Sequence, residues 1–255
     1  MSEHILTELR DGILRIEIRR PEKKNALTSA MYAAMADALD RAAREDAVRV
    51  VLIHGQPGVF TAGTDLTDFL NGPGDANRPV FRFLRGIAAA PKPLVAAVSG
   101  NAVGIGTTML LHCDLAYAGE SARFQLPFVS LGLCPEAASS LLLPRLVGHQ
   151  RASELLLFGE PFDAARACEI GLVNAVHADA VLMDAALERA HKLATLPAAS
   201  LRATKMLLKK SQAAMVTQAM QDEGAIFQQR LESPEAKEAF SAFLEKRKPD
   251  FSRFG

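Results

Sequence analysis

Hydrophobic and polar positions alternate between residues 13 and 18, where Ile16 and Ile18 flank Glu17 before Arg19-Arg20-Pro21 closes the run. That period of two predicts a half-buried strand. Thr28 then stands as a cap before residues 29–44, in which Ala, Met and Leu recur at helical spacing, and the unbroken apolar run 50–53 predicts a strand covered on both faces. The same reading predicts a buried strand over 93–98, a short apolar helix over 105–111 and a third buried strand over 115–118. Strands alternating with helices in this way favour an α/β core.

Beyond about Ala137 the strand signals fade, and helical patterns occupy the chain through 157, then 178–194, 198–210 and 213–247. Ser233-Pro234-Glu235 reads as a capping serine followed by proline in the first turn. A soft boundary near residue 195 separates a core domain, 1–195, from a helical region, 196–255. No Gly/Ser-rich or Pro-rich linker marks it, so the helical region is expected to pack rather than swing free. No sequence repeat is visible at the roughly 20 to 50 residue periods of repeat proteins.

Charge enters by what it excludes. The chain carries 29 basic and 29 acidic residues, which gives no broad cationic field and disfavours nucleic acid or an anionic membrane as partner. No apolar run reaches the roughly 18 residues that a membrane span requires. The first ten residues carry Glu3 and Glu8 without the layout of a signal peptide, and Ser252-Arg253-Phe254-Gly255 is no peroxisomal address, so a cytoplasmic location is expected. Cys113, Cys134 and Cys168 are odd in number and lie in apolar surroundings, and they read as reduced thiols.

The familiar short motifs are missing: there is no G-x-x-x-x-G-K, no G-x-S-x-G and no H-E-x-x-H. Gly104 and Gly106 miss the dinucleotide spacing because Met109 stands where the third glycine would fall, and the six histidines form no metal-ligand pair at helical spacing. Metal or nicotinamide chemistry is disfavoured. Two glycine turns remain, one from Phe60 through Thr61-Ala62-Gly63-Thr64-Asp65 to Leu66, the other Ser99-Gly100-Asn101-Ala102-Val103-Gly104-Ile105-Gly106. Each follows a buried strand or its extension. Glycine lets a ligand approach backbone N–H groups, and the second turn opens a helix whose first amides have no partner within it, an arrangement suited to an anionic oxygen. Taken singly, each reads more readily as an ordinary turn, and it is their combination that points to a site.

In this order and spacing, the two turns resemble the crotonase family, also called the enoyl-CoA hydratase and isomerase superfamily. The likeness runs from Arg20-Pro21-Glu22-Lys23-Lys24-Asn25-Ala26-Leu27 through both turns and Cys113-Asp114-Leu115-Ala116-Tyr117-Ala118. It continues to Gly171-Leu172-Val173 and closes at Ser241-Ala242-Phe243-Leu244-Glu245-Lys246-Arg247-Lys248. The fold it implies is a crotonase-like spiral of ββα repeats with a C-terminal helical trimerisation region. By position, it implies that the backbone N–H groups of Thr64 and Ile105 form an oxyanion hole for a thioester carbonyl. One such donor is typically worth about 3 to 4 kcal/mol of transition-state stabilisation. Lys23, Lys24, Ala26, Ala62, Asp65 and Leu66 fall in segments that line the coenzyme A site in the family, and Phe243 and Lys246 match residues that reach a neighbouring subunit's ligand. The implied partners are an acyl-CoA substrate and further copies of the chain, as a homotrimer or a dimer of trimers. No metal is implied, and no cofactor beyond the coenzyme A that belongs to the substrate.

Departures from the family pattern narrow the reaction. Family hydratases place two glutamates around the substrate, and here those places hold Thr108 and Phe128. Neither side chain can deprotonate water near neutral pH. A different carboxylate stands in Leu131-Gly132-Leu133-Cys134-Pro135-Glu136-Ala137-Ala138. Read from the residues alone, Glu136 after proline suits the first turn of a helix. The resemblance to peroxisomal-type 3,2-enoyl-CoA isomerases, which also draws on Phe158-Gly159, makes it the catalytic acid/base. One glutamate can remove a proton from C2 of a 3-enoyl thioester and return it at C4, and apolar neighbours such as Phe128, Leu133 and Ala137 are expected to raise its pKa. The alternatives are an enoyl-CoA hydratase or other crotonase-family activity and, from another class, a non-catalytic acyl-CoA binder. The 68–79 loop, with Asn71-Gly72-Pro73-Gly74, is expected to be mobile and to shape the pocket for the acyl tail.

Thr108→Glu alone is expected to leave crotonyl-CoA hydration at the wild-type rate, because its partner carboxylate is still missing. A rise of about a hundredfold, the scale of one general acid–base group, in an absorbance assay would contradict this reading.

Overall fold

A computed structural model of the protein describes residues 2–66 and 79–254. The chain opens with an antiparallel hairpin, β1 (Ile5–Arg10) and β2 (Ile13–Ile18). Asp11 and Gly12 join the strands, both with positive φ (51° and 77°) as a two-residue hairpin turn requires. The sequence pattern predicts β2 but not β1, whose side chains are mostly exposed and show no apolar alternation. Helix α1 (Ser29–Arg44) follows, with Thr28 Oγ1 accepting the Met31 N–H at 3.3 Å.

From here the chain repeats a simple move. A longer strand enters a six-stranded sheet, a three-residue strand enters a four-stranded sheet, and a helical segment leads back. β3 (Val50–His54) is followed by β4 (Val59–Thr61) and, after the undescribed residues, α2 (Pro79–Ala89). β5 (Leu94–Val98) is followed by β6 (Asn101–Val103) and α3 (Ile105–Thr108), then β7 (Leu115–Gly119) by β8 (Arg123–Gln125). Helices α4 (Ser139–Val147) and α5 (His149–Phe158) come next, then β9 (Phe162–Asp163), α6 (Ala164–Glu169) and β10 (Ala175–His177). The large sheet has the order β1-β2-β3-β5-β7-β10 and the small one β4-β6-β8-β9. Strands β4, β6, β8 and β9 have at most three residues, too short for a period of two to register, so the repeat is invisible in the sequence. The same brevity hides β9 and β10 between residues 158 and 177, where the strand signals have faded.

Burial explains the unbroken apolar strands. One face of the large sheet, with Val51, Ile53, Leu94 and Ala96, joins the main core. The other, with Val50, Leu52, Val95 and Ala97, is covered by Ala186 and Ala190 of α7 (Leu182–Thr195). Helices α8 (Ala198–Lys210), α9 (Ala213–Leu231) and α10 (Pro234–Leu244) complete the chain. Lys205 of α8 is buried and reaches Asp114 at 2.6 Å; the same carboxylate oxygen accepts the Leu94 N–H at 2.7 Å, so Asp114 ties a helix to the start of β5.

Asn25 joins the two sheets. It is fully buried with φ 56°. Its Oδ1 accepts the Arg20 N–H at 2.6 Å, and its Nδ2 donates to the carbonyls of Ile18 at the end of β2 and Phe60 in β4, each at 3.0 Å. Asn25→Ala is expected to cost about 2 to 4 kcal/mol, since it strands buried backbone groups and puts a Cβ without local hydrogen bonds in the left-handed region. Urea denaturation measures it, and a loss below about 1 kcal/mol would refute the role given to this side chain.

Candidate active site

Strands β4 and β6 are parallel neighbours with Thr61 opposite Ala102, so the turns leaving their carboxyl ends emerge side by side. Crevices outside the carboxyl ends of parallel strands are where open α/β sheets bind ligands. Gly63 (φ 93°) lies so near β6 that a Cβ would sit 3.0 Å from the Val103 carbonyl oxygen. Gly104 (φ 55°) turns β6 into α3, and its carbonyl accepts the N–H groups of Thr107 and Thr108 at 2.9 Å. The Ile105 amide is thus left at the open end of the helix. Among the described residues, neither it nor the Thr64 amide donates to a protein acceptor. The Thr64 hydroxyl is held by Tyr32 Oη at 2.6 Å.

Both turns face a cavity of about 590 Å³. Thr64, Ile105 and Glu136 line it, together with Lys24, Ala62, Leu66 and Phe243. Lys23, Ala26, Asp65 and Lys246 are not among the lining residues. Asp65 instead pairs with Arg20 at 2.6 Å, and Phe243 of α10 lines the cavity of its own chain. Phe128 and Leu133 form part of the apolar wall, while Ala137 lies outside the lining. The 68–79 loop, apart from Pro79, lies outside the described residues. A second apolar cavity of about 600 Å³ lies alongside, lined from α2 and α9, and holds none of the expected site residues.

Glu136 is the only carboxylate among the described lining residues. It sits between a 3-10 turn (Val129–Leu131) and α4, in a segment whose path depends on Gly132: a Cβ there would meet the Ala236 amide nitrogen at 2.6 Å. The side chain opens on the cavity but is otherwise walled by protein. That desolvation pushes its carboxyl from the ordinary 4.5 up to about 7, against the opposing pull of the Thr108 hydroxyl, which donates to Oε1 at 2.6 Å, and with a smaller push from the Glu223 charge. A carboxyl near 7 can both take and give a proton at neutral pH.

Two parts of this arrangement escape the sequence reading. Thr108 stands where a hydratase glutamate would be, and three residues after Ile105 it shares that residue's helix face; the spacing alone could have marked it as a partner for a cavity acid. Glu223 is 87 positions from Glu136, and no sequence signal links the two.

A fold that delivers two unpaired amides and one proton-holding glutamate to an apolar cavity defines a class of enzymes acting next to an activated carbonyl. The enoyl-CoA hydratase/isomerase family model matches residues 8–253, and the chain belongs to that family. It is 35% identical to 1,2-epoxyphenylacetyl-CoA isomerase of Escherichia coli, covering 99% of each chain. It is also 35% identical to the 2,3-dehydroadipyl-CoA hydratase of that organism, covering 98% of this chain and 99% of the other. Enoyl-CoA delta isomerase 2 of Rattus norvegicus shows 35% identity as well, over 97% of this chain and 65% of that protein. The crystal structure of an enoyl-CoA hydratase/isomerase from Pseudoalteromonas atlantica superposes with a TM-score of 0.94 at 45% identity, covering 98% of this chain and all of the other. The fold is therefore the crotonase fold. The expected special closeness to peroxisomal-type isomerases is not what these identities single out, because hydratase and isomerases stand level.

The raised carboxyl of Glu136 also sets a stability dependence. Below about pH 4.5 both states hold the proton; as pH rises towards 7 the unfolded chain loses it first, so stability falls, by up to about 3 kcal/mol above pH 7. Glu136→Gln removes this deficit. Urea denaturation is expected to show the variant about 1 to 3 kcal/mol more stable near pH 8 and level with wild type near pH 4; a less stable variant near pH 8 would contradict the burial argument.

Proposed function

We propose that the protein is a 3,2-trans-enoyl-CoA isomerase, in which Glu136 acts as the single acid/base. The thioester carbonyl oxygen accepts the Thr64 and Ile105 N–H groups, which draws electron density from C2. Ionised Glu136 removes a C2 proton, the negative charge spreads from the carbonyl oxygen to C4, and the protonated carboxyl returns the proton at C4. The double bond moves from C3–C4 to C2–C3 with no net change in atoms. The two amides favour the enolate over the ground-state thioester because charge grows on the oxygen they face. Apolar walls keep water from taking the proton.

The observation that carries this reading is the single titratable carboxylate in the described lining, with a hydroxyl and a phenyl ring, Thr108 and Phe128, at the places of the hydratase glutamates. The equal likeness to a hydratase leaves water addition as the second reading, which needs a second carboxylate that the described lining does not supply. Lys24, the one cation among the described lining residues, suits a coenzyme A phosphate, with Ala62 and Leu66 beside it. Met206, Leu207 and Leu208 form an exposed apolar run on α8, which supports assembly through the 196–255 region as a homotrimer or a dimer of trimers.

Purified protein given 3-hexenoyl-CoA and, separately, crotonyl-CoA is expected to move the double bond of the first without hydrating the second, followed by absorbance and mass spectrometry. Dominant hydration would overturn the assignment. Glu136→Gln is expected to lower kcat by about 10³-fold or more while acyl-CoA binding changes little, and unchanged turnover would remove Glu136 from the mechanism. In the wild type, kcat/KM should rise with pH through a limb near 7, because the ionised carboxyl is the base.

A further inference from the structure

The turn that presents Glu136 is unfavourable on its own. Ala137 and Ala138 are successive residues in the left-handed region, with φ of 60° and 57°, a conformation that a Cβ disfavours and that alanine cannot relieve by local side-chain hydrogen bonds. Ala138 is also the N-cap residue of α4 and has no side chain to cap it. The missing partners come from distant elements. His112 Nε2 donates to the Ala137 carbonyl at 2.7 Å. From the middle of α9, Glu223 Oε2 accepts the Ala138 N–H at 2.6 Å, and Oε1 accepts the Ser140 N–H at 2.9 Å as well as the Ser140 hydroxyl. Glu223 is almost wholly buried, and three donors converge on its two oxygens.

We propose that Glu223 is a positioning residue for the reaction: by gripping the Ala138 and Ser140 amides it holds the strained turn that aims the Glu136 carboxyl into the cavity. The proposal rests on Glu136 being the acid/base. A second consequence follows from charge: burial raises the Glu223 carboxyl against the pull of the Ser140 and Ala138 donors, and its ionised form faces Glu136 and helps it keep its proton. The other groups around this turn do not compensate. Thr108 of α3 is a neutral donor, the Cys134 thiol is pushed up to about 11 by burial, and burial holds the His112 ring down to about 4 and hence neutral. Arg230 of α9 donates to the Gly132 carbonyl at 3.1 Å and pairs with Glu235.

Glu223→Gln tests this, because an amide can accept at one oxygen only and turns its own N–H groups on the other donors. The expected result is a fall in kcat for 3-hexenoyl-CoA of about ten- to a hundredfold with KM within about threefold, as for a misplaced catalytic group. The acid limb of the pH profile moves to lower pH. Ala138→Gly added to Glu223→Gln restores part of kcat, since glycine enters the left-handed region without penalty. Carbon-13 NMR of the labelled Glu136 carboxyl, assigned with Glu136→Gln, reads the same shift without any turnover. A Glu136 that titrates alike in wild type and Glu223→Gln, or a variant with wild-type kcat, overturns the proposal. If Glu223→Gln does not fold, Ser140→Ala, at an exposed position whose hydroxyl donates one of the three bonds, is expected to lower kcat about threefold at unchanged KM, the scale of one weakened hydrogen bond; wild-type kcat in that variant overturns the proposal. Wild-type protein that leaves 3-hexenoyl-CoA unchanged while the Glu136 titration still shifts in Glu223→Gln would sink the isomerase reading and keep the positioning role.

Discussion

The constraint on which the candidate site depends is the approach of Gly63 to the Val103 carbonyl, where an added Cβ would sit 3.0 Å from the oxygen on a backbone of positive φ. It follows from the parallel pairing of β4 with β6, and it decides how near the Thr64 and Ile105 amides come to each other. Asn25 makes that pairing dependable, because one buried amide side chain bonds β2 in the large sheet and β4 in the small one. Thr61 adds to the knot by donating to the Asn25 carbonyl at 2.7 Å and accepting the Gly63 N–H at 3.1 Å. The donors of the candidate site are therefore main-chain groups, positioned by the same hydrogen bonds that hold the two sheets together. Side-chain identity at Thr64 and Ile105 is free to follow the needs of the cavity wall.

Glu136 is placed by a different kind of force. Its segment is not part of a sheet, and its backbone passes through two left-handed alanines. It is stabilised from outside, by His112 near α3 and Glu223 in α9, and it is packed under α10 at Gly132. Burying a carboxyl costs free energy when it ionises, and that cost is what brings its pKa close to neutrality. Under the proposed mechanism, function and stability pull in opposite directions at this residue, as they commonly do where a site holds a titratable group away from water.

The repeating move of the chain builds the candidate site largely from backbone. Each repeat adds one strand to each sheet, so the amide pair is built by scaffold geometry and not by particular side chains. Relatives equally similar in sequence bear isomerase and hydratase names. In this chain the groups at and beside the cavity include a hydroxyl at 108, a phenyl ring at 128 and a carboxyl at 136.

How much of this was legible in the sequence follows from how each feature is encoded. The long buried strands, α1 with its threonine cap and the proline start of α10 are local patterns, and local periodicity and capping chemistry are enough to reveal them. The glycine turns were legible as turns, and their order as a family likeness. The hairpin strand β1 and the three-residue strands of the small sheet were not, because exposure or brevity erases alternation. Thr108 was visible as a departure but not as a donor to Glu136. The grip of Glu223 on Ala138 and Ser140 could not be read at all: it depends on α9 crossing the start of α4, a meeting of segments more than 80 residues apart. The sequence alone determined which groups could carry the chemistry. Only the tertiary structure decided which of them share a cavity and how far burial shifts their protons, because desolvation and long-range hydrogen bonds exist only once distant segments are packed together.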